Sequence, residues 1–210
     1  MRAVKVQPLA ARIAVVAAAL FLGLLVLVST GALGRGSVDV HADAAANAAV
    51  RAHPALLSTA HAVTNLGAPL VVDILAVVAA LALWFTGHRR AATYVLAVRI
   101  GGQIVASGVK VLVGRPRPVL PHPVAHAVGH SFPSGHATDA ASVYLPLAVV
   151  VCALFAGRAL RVSIVALAML ICLAVATTRV LLGVHYPSDV LAGLAAGVAL
   201  TAILTPVLDP

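Results

Sequence analysis

The sequence predicts an all-α integral membrane protein: one domain over residues 1–210, built as a bundle of six transmembrane helices. Three observations predict this. Of the 210 residues, 62% are hydrophobic and 10% charged, with mean hydropathy +1.08, whereas soluble domains are about 25% charged. Six apolar runs, 13–33, 68–85, 92–113, 136–155, 162–182 and 190–208, suit a hydrocarbon core about 30 Å thick. Basic residues gather at alternate ends of these runs, as membrane orientation requires.

The elements follow in order. Arg2, Lys5 and Arg12 precede run 13–33. Its apolar part is too long for the core of a signal peptide and no clear small-residue cleavage site follows, so it is expected to stay as the first helix. Residues 34–67 are more polar, carrying Arg35, Asp39, Asp43, Arg51, His53 and His61, and their Ala-rich stretches suit a short helix on the membrane surface. Run 68–85 holds Asp73 near its start and is closed by His88, Arg89 and Arg90. Run 92–113 includes Arg99, Gln103 and Lys110, and Asp73, Arg99 and Gln103 suit a polar contact inside the bundle. Residues 114–131 are rich in Pro, His and Arg and read as a loop. The last three runs follow with short connections. No repeat of 20–50 residues and no linker divides the chain.

The net charge of +8 does not predict a nucleic-acid partner. No basic helix or aromatic-interleaved patch is present, and aromatic residues are 4%. Cys152 and Cys172 lie inside apolar runs and read as small buried hydrophobes. If the six runs alternate, Arg2, Lys5, Arg12, His88–Arg90, Arg158 and Arg161 share one side, which the positive-inside rule makes cytoplasmic, along with both termini. The remaining His/Arg/Lys-rich segments then meet on the outer face.

Three of those segments share one chemical character. The first is Lys110, six residues, then Arg117–Pro118. Lys110, Arg117 and, further on, Arg179 lie at or just beyond the ends of apolar runs, where charge is costly and normally retained for function. Arg offers a planar fork of donors and Lys a point charge, both suited to phosphate oxygens. The second segment is Pro133–Ser134–Gly135–His136, at the start of a run. The amides of Ser134, Gly135 and His136 are expected to be free at a helix N-terminus and to cradle phosphate. The third is Arg179, five residues, His185, three residues, Asp189. Asp189, two residues after Pro187, falls in the first turn of the last helix and can fold back onto His185. A carboxylate on one imidazole nitrogen leaves the other free to attack.

These three segments, in this order and spacing, resemble the signature of the type 2 phosphatidic acid phosphatase superfamily, K-x6-R-P, P-S-G-H and S-R-x5-H-x3-D. The resemblance is strong over 110–189, and Thr178 stands where the family has Ser. Both residues carry a hydroxyl, so activity is expected to survive. The resemblance implies a metal-independent membrane lipid phosphatase needing no cofactor, with its active site at the extracytoplasmic interface. It implies that His185 attacks phosphorus to form a phosphohistidine and Asp189 orients it. His136 would protonate the leaving oxygen and then activate water. Lys110, Arg117, Ser134, Gly135 and Arg179 would hold the phosphate oxygens. The substrate expected first is a polyprenyl diphosphate of the undecaprenyl type, in the plasma membrane of a bacterium. Phosphatidic acid or phosphatidylglycerophosphate, transfer to a lipid acceptor instead of water, and a non-catalytic lipid-binding or transport protein are the alternatives. Arg115 is a candidate second phosphate contact, suited to a diphosphate, or a plain interfacial cation. His122, His126 and His130 recur every four residues, but Pro121 and Pro123 break any helix there. They read as loop histidines near an anionic headgroup rather than metal ligands.

Overall fold

The computed structural model describes residues 7–34, 37–154 and 157–208. Arg2, Lys5 and Arg35 lie outside them. The described residues form eight α-helices and two short 3-10 turns, with no strand. Helix α1 (Gln7–Ser29) begins upstream of the apolar run, takes in Arg12, and ends before Gly31, which turns the chain with φ +76°. Only Gly adopts that conformation without strain.

The polar segment that follows is two helices, α2 (Val38–Ala52) and α3 (Pro54–Thr64). They part at His53, whose extended backbone is what a residue before Pro prefers. Helix α2 buries Asp39, Asp43, Asn47 and Val50. At offsets of four, eight and eleven residues these share one face. The segment is thus two short helices where one was expected, and the buried face of α2 is mostly polar.

Helix α4 (Pro69–Phe85) covers the second apolar run. Its 17 residues span about 26 Å, short of a hydrocarbon core. A 3-10 turn, Asn65–Gly67, joins it to α3 at a bend of 43°, and the pair together passes as one broken span. Pro69 at the start of α4 explains the break, since its ring cannot continue the preceding helix. Five further helices are long and apolar enough to cross a membrane singly: α1, α5 (Arg89–Val113), α6 (Gly135–Leu154), α7 (Arg158–Leu181) and α8 (Pro187–Leu204).

Helix α6 is the centre of the bundle, packed by α4, α5, α7 and α8, while α1 lies against α8. Small residues permit this closeness, as bilayer packing requires. A Cβ on Gly193 would stand 2.7 Å from the Ser134 carbonyl and 3.0 Å from the Ala137 Cβ; one on Gly102 would stand 2.8 Å from the Ser142 Cβ. The apolar core joins Val72, Tyr94, Val95, Val98 and Val143 across α4, α5 and α6. Arg99 is buried in this bundle and holds Asp73 by Nε at 2.8 Å and Gln103 by Nη1 at 3.2 Å. Asp139 of α6 completes the group at 3.0 Å. Such pairing is what keeps a charge tolerable at membrane depth.

Candidate active site

Every segment singled out in the sequence ends at one end of this bundle. Helix α5 carries Lys110 in its last turn and stops at Gly114, which adopts the left-handed conformation (φ 62°). That cap reverses the chain into the 114–134 loop. Lys110 then reaches back to that loop, donating from Nζ to the Pro133 carbonyl at 2.5 Å and the His130 carbonyl at 3.1 Å. The lysine thus ties the loop to the start of α6.

The turn between α7 and α8 carries the His/Asp pair. Gly183 (φ 68°) ends α7, and Pro187 starts α8. Asp189 sits at the third position of α8 and accepts from the Tyr186 amide at 2.9 Å, one half of a capping box. The same carboxylate oxygen accepts from the Ser131 hydroxyl and lies 3.4 Å from His185 Nδ1. His185 is 2% exposed. On its other side, Nε2 lies 3.0 Å from Nη1 of Arg117. A guanidinium only donates, so Nε2 presents its lone pair and Nδ1 carries the proton toward Asp189. The geometry therefore selects the tautomer in which Nε2 is the unprotonated nitrogen. Burial lowers His185 to about 4, against the upward pull of Asp189, so the ring is neutral at pH 7.

Arg117 is fixed by carbonyls: Nη1 to Val184 at 2.7 Å, Nη2 to Val128 at 3.0 Å and Nε to Gly129 at 3.1 Å. Arg179, in the last turn of α7, donates to Thr64 Oγ1 at 2.8 Å. Its Nε and the Ser134 hydroxyl are buried and have no hydrogen-bond partner among the described residues. Unpartnered donors beside three cations suit an oxyanion. His136 stands in the first turn of α6, within electrostatic reach of Arg179, His185, Arg117 and Lys110. The 3-10 turn before α4 packs directly on it: a Cβ on Gly67 would lie 2.9 Å from the His136 carbonyl.

Two expectations change in detail. The Ser134 amide is not free; it donates to the Asp189 carbonyl at 2.9 Å, which ties the start of α6 to α8. Gly135 and His136 begin the helix, where amides lack intrahelical acceptors. Arg115 turns away from the cation cluster. It is 8% exposed and stacks on the Tyr186 ring at 4.2 Å. Its Nη1 donates to Asp189 Oδ1 and Ser188 Oγ, both at 2.6 Å, and its Nη2 to Asp39 Oδ2 at 2.7 Å and the Leu33 carbonyl at 2.9 Å. Four acceptors thus engage the N–H groups of both terminal nitrogens of the guanidinium. His122, His126 and His130 lie exposed on a non-helical loop, so their four-residue spacing does not put them on one face.

Sequence reasoning did not single out Ser131, Thr64 or Asp39 for the site. Asp39 also accepts from the Ser188 amide at 2.9 Å and hydroxyl at 2.5 Å. Asp43, 1% exposed on the same face of α2, is raised to about 7 by burial and by the nearby charges of Asp189 and Asp39. The only advance signal was the four-residue spacing of Asp39, Asp43 and Asn47 in an otherwise Ala-rich helix.

The chain resembles known proteins over the same region. The family model of the PAP2 superfamily matches residues 90–209. The decaprenylphosphoryl-5-phosphoribose phosphatase of Mycobacterium tuberculosis is 35% identical over 181 residues, 82% of this chain and 91% of that protein. The undecaprenyl-diphosphatase of Bacillus subtilis is 31% identical over 54% of this chain and 58% of that protein. The lipid A 1-phosphatase of Rhizobium etli is 36% identical over 50% of this chain, and the match spans 44% of its length. Among solved structures, a transmembrane phosphatidylglycerolphosphate phosphatase of Bacillus subtilis superposes with TM-score 0.79 at 29% identity, over 90% of this chain and 93% of that one.

Proposed function

The chain belongs to the PAP2 superfamily of membrane lipid phosphatases, and on that premise we propose that it removes the terminal phosphate of a polyprenyl diphosphate at the extracytoplasmic face of the membrane. The observation that carries the reading is the His185 ring, held between Asp189 at Nδ1 and Arg117 at Nε2, with its lone pair beside three cations.

Lys110, Arg117 and Arg179, with the Ser134 hydroxyl and the Gly135 amide, hold the terminal phosphate. His185 Nε2 attacks phosphorus, forming a P–N bond, while the bond to the bridging oxygen breaks. Asp189 stabilises the imidazolium character that develops. His136 delivers a proton to the departing lipid monophosphate, then takes one from the water that attacks the phosphohistidine. The products are lipid monophosphate and inorganic phosphate. Charge developing on the equatorial oxygens is met by fixed donors that need no reorganisation. Because those cations are side chains, turnover is expected to persist in chelator.

The outer-face assignment rests on charge. Arg12, His88–Arg90 and Arg161 stand at the end of the bundle away from the site, and Arg89 stacks over Trp84 at 5.2 Å, as at a membrane interface. The polyprenyl assignment rests on two relatives whose names specify polyprenyl-linked phosphates. A diacyl reading has its own support in the structural likeness to a phosphatidylglycerolphosphate phosphatase. Assaying the purified protein in excess chelator against undecaprenyl diphosphate, phosphatidic acid and phosphatidylglycerophosphate tests both points. The expected order places the polyprenyl diphosphate first by kcat/KM. A higher kcat/KM on either diacyl substrate would reverse the substrate assignment, and strict dependence on Mg²⁺ would contradict the site.

A further inference from the structure

The cations of the site are not held alike. Backbone carbonyls fix Arg117, from Val128, Gly129 and Val184, and Lys110, from His130 and Pro133. All of these acceptors lie in the loop before α6 or in the turn between α7 and α8. Arg179 stands apart. Among the described residues its one hydrogen-bond partner is the Thr64 hydroxyl, which accepts from Nη1 at 2.8 Å, while its Nε is buried without a partner. A guanidinium carries five N–H groups in a rigid fork, so holding one of them sets the direction of the others.

The local fold explains how Thr64 comes to be there. Helix α3 buries Ala60 and Thr64, four residues apart and so on one face. Ala60 packs with Leu182 and Val184 at the end of α7, which carries Thr64 to Arg179. The helix stops at Thr64, and the turn Asn65–Gly67 then lies on both α6 and α7. Tyr144 of α6 donates to the Leu66 carbonyl at 2.9 Å. A Cβ on Gly67 would collide with the Val175 side chain and stand 2.9 Å from the His136 carbonyl. A break in a span is tolerated where it is buried in protein or lines a polar cavity. This one is seated against both Arg179 and His136. We infer that the Thr64–Gly67 turn is a fourth segment of the active site, in which Thr64 is the positioning residue that aims Arg179 at the transferred phosphate. The inference rests on the phosphatase reading and deepens it, with a segment outside the residues 90–209 that the family model matches.

The test separates a hydroxyl that serves Arg179 from one that serves the bundle, in the full-length protein. Thr64→Val keeps the shape and removes the acceptor, Thr64→Ala stands in where the valine variant fails to fold, and Thr64→Ser restores the hydroxyl. Loss of the acceptor is expected to lower kcat/KM for undecaprenyl diphosphate about 10- to 100-fold, the scale of a hydrogen bond to a charged group, with Thr64→Ser within about threefold of wild type. In an Arg179→Ala background the same replacement is expected to change kcat/KM by less than about twofold, because the group that Thr64 holds is gone. Wild-type kcat/KM in the folded variants, or an equal loss in both backgrounds, would overturn the inference and leave the phosphatase reading intact. Equilibrium binding of orthovanadate, a phosphate analogue, reads the same contact without turnover and in both backgrounds. Its Kd is expected to rise about 10- to 100-fold without the acceptor and to recover in Thr64→Ser. That result supports the inference even if the wild type hydrolyses no lipid phosphate, the outcome that would sink the phosphatase reading. An unchanged Kd overturns the inference.

Discussion

His185→Ala is expected to lower phosphate release by at least about 10⁴-fold, the scale at which removal of a nucleophile leaves only the binding groups to act. The expectation follows from position. His185 is the buried imidazole whose lone pair is aimed, by Asp189 on one nitrogen and Arg117 on the other, at the cation cluster. Among the described residues no second group offers the same: His136 has no carboxylate bonded to it, and the Ser131 hydroxyl is engaged with Asp189. The loss should appear in kcat, with substrate still bound, because Lys110, Arg117 and Arg179 remain. Phosphate release and equilibrium binding of the diphosphate separate the two. Wild-type turnover in a folded variant would remove His185 from the chemistry.

Arg115→Ala is expected to be nearly as damaging, by another route. The guanidinium sits between Asp39 and Asp189, both buried. Its removal leaves two carboxylates without their cation, a loss of about 3–5 kcal/mol for breaking a buried pair. In protein that remains folded, Asp189 would stay beside His185 through the Tyr186 amide and the Ser131 hydroxyl but lose the anchor on its other oxygen, so kcat would fall, while KM changes little. A phosphate contact would show the opposite, a raised KM that is larger for a diphosphate than for a monophosphate. The pH profile adds a sign. His185 is lowered to about 4 in the intact site. Removing a nearby positive charge strengthens the negative field of Asp189 and raises that value, so the acid limb of kcat/KM moves to higher pH. Asp39→Asn, which keeps the shape of the acceptor and removes one charge, is the gentler companion. It should lower kcat in the same direction by less. An unshifted acid limb and unchanged kcat in both variants would make Arg115 a stability residue alone.

Much of this was readable before any coordinates. Runs of uncharged residues report the spans because a bilayer core solvates no charge, and that holds whatever the helices pack against. The His185/Asp189 contact was readable because it is local: one proline starts the helix and the carboxylate is four residues away. The contacts that complete the site are not local. Asp39 is 149 residues from Ser188, and Thr64 is 115 from Arg179. Nothing in composition or periodicity joins positions so distant. Arg115 shows the same limit on one residue. Two residues from Arg117 in a Pro-rich loop, it carries the same charge, yet one guanidinium faces His185 and the other lies behind it, on Asp189. Their directions are set by Asp39 and Leu33 on one side and by the Val128 and Val184 carbonyls on the other. The bend between α3 and α4 left a local trace in Gly67–Ala68–Pro69. Its purpose, to press a glycine against His136, depends on a helix seventy residues further along the chain.

In the proposed reaction, phosphate passes through His185. Brief incubation of the protein with a polyprenyl diphosphate labelled with ³²P in its terminal phosphate, followed by alkaline quench and peptide mapping, tests it directly. Acid-labile, alkali-stable label is expected on the peptide that contains His185, absent from His185→Ala and accumulating when His136 is replaced by Ala. Label on another residue, or hydrolysis with no labelled protein under conditions that trap a phosphohistidine, would contradict it.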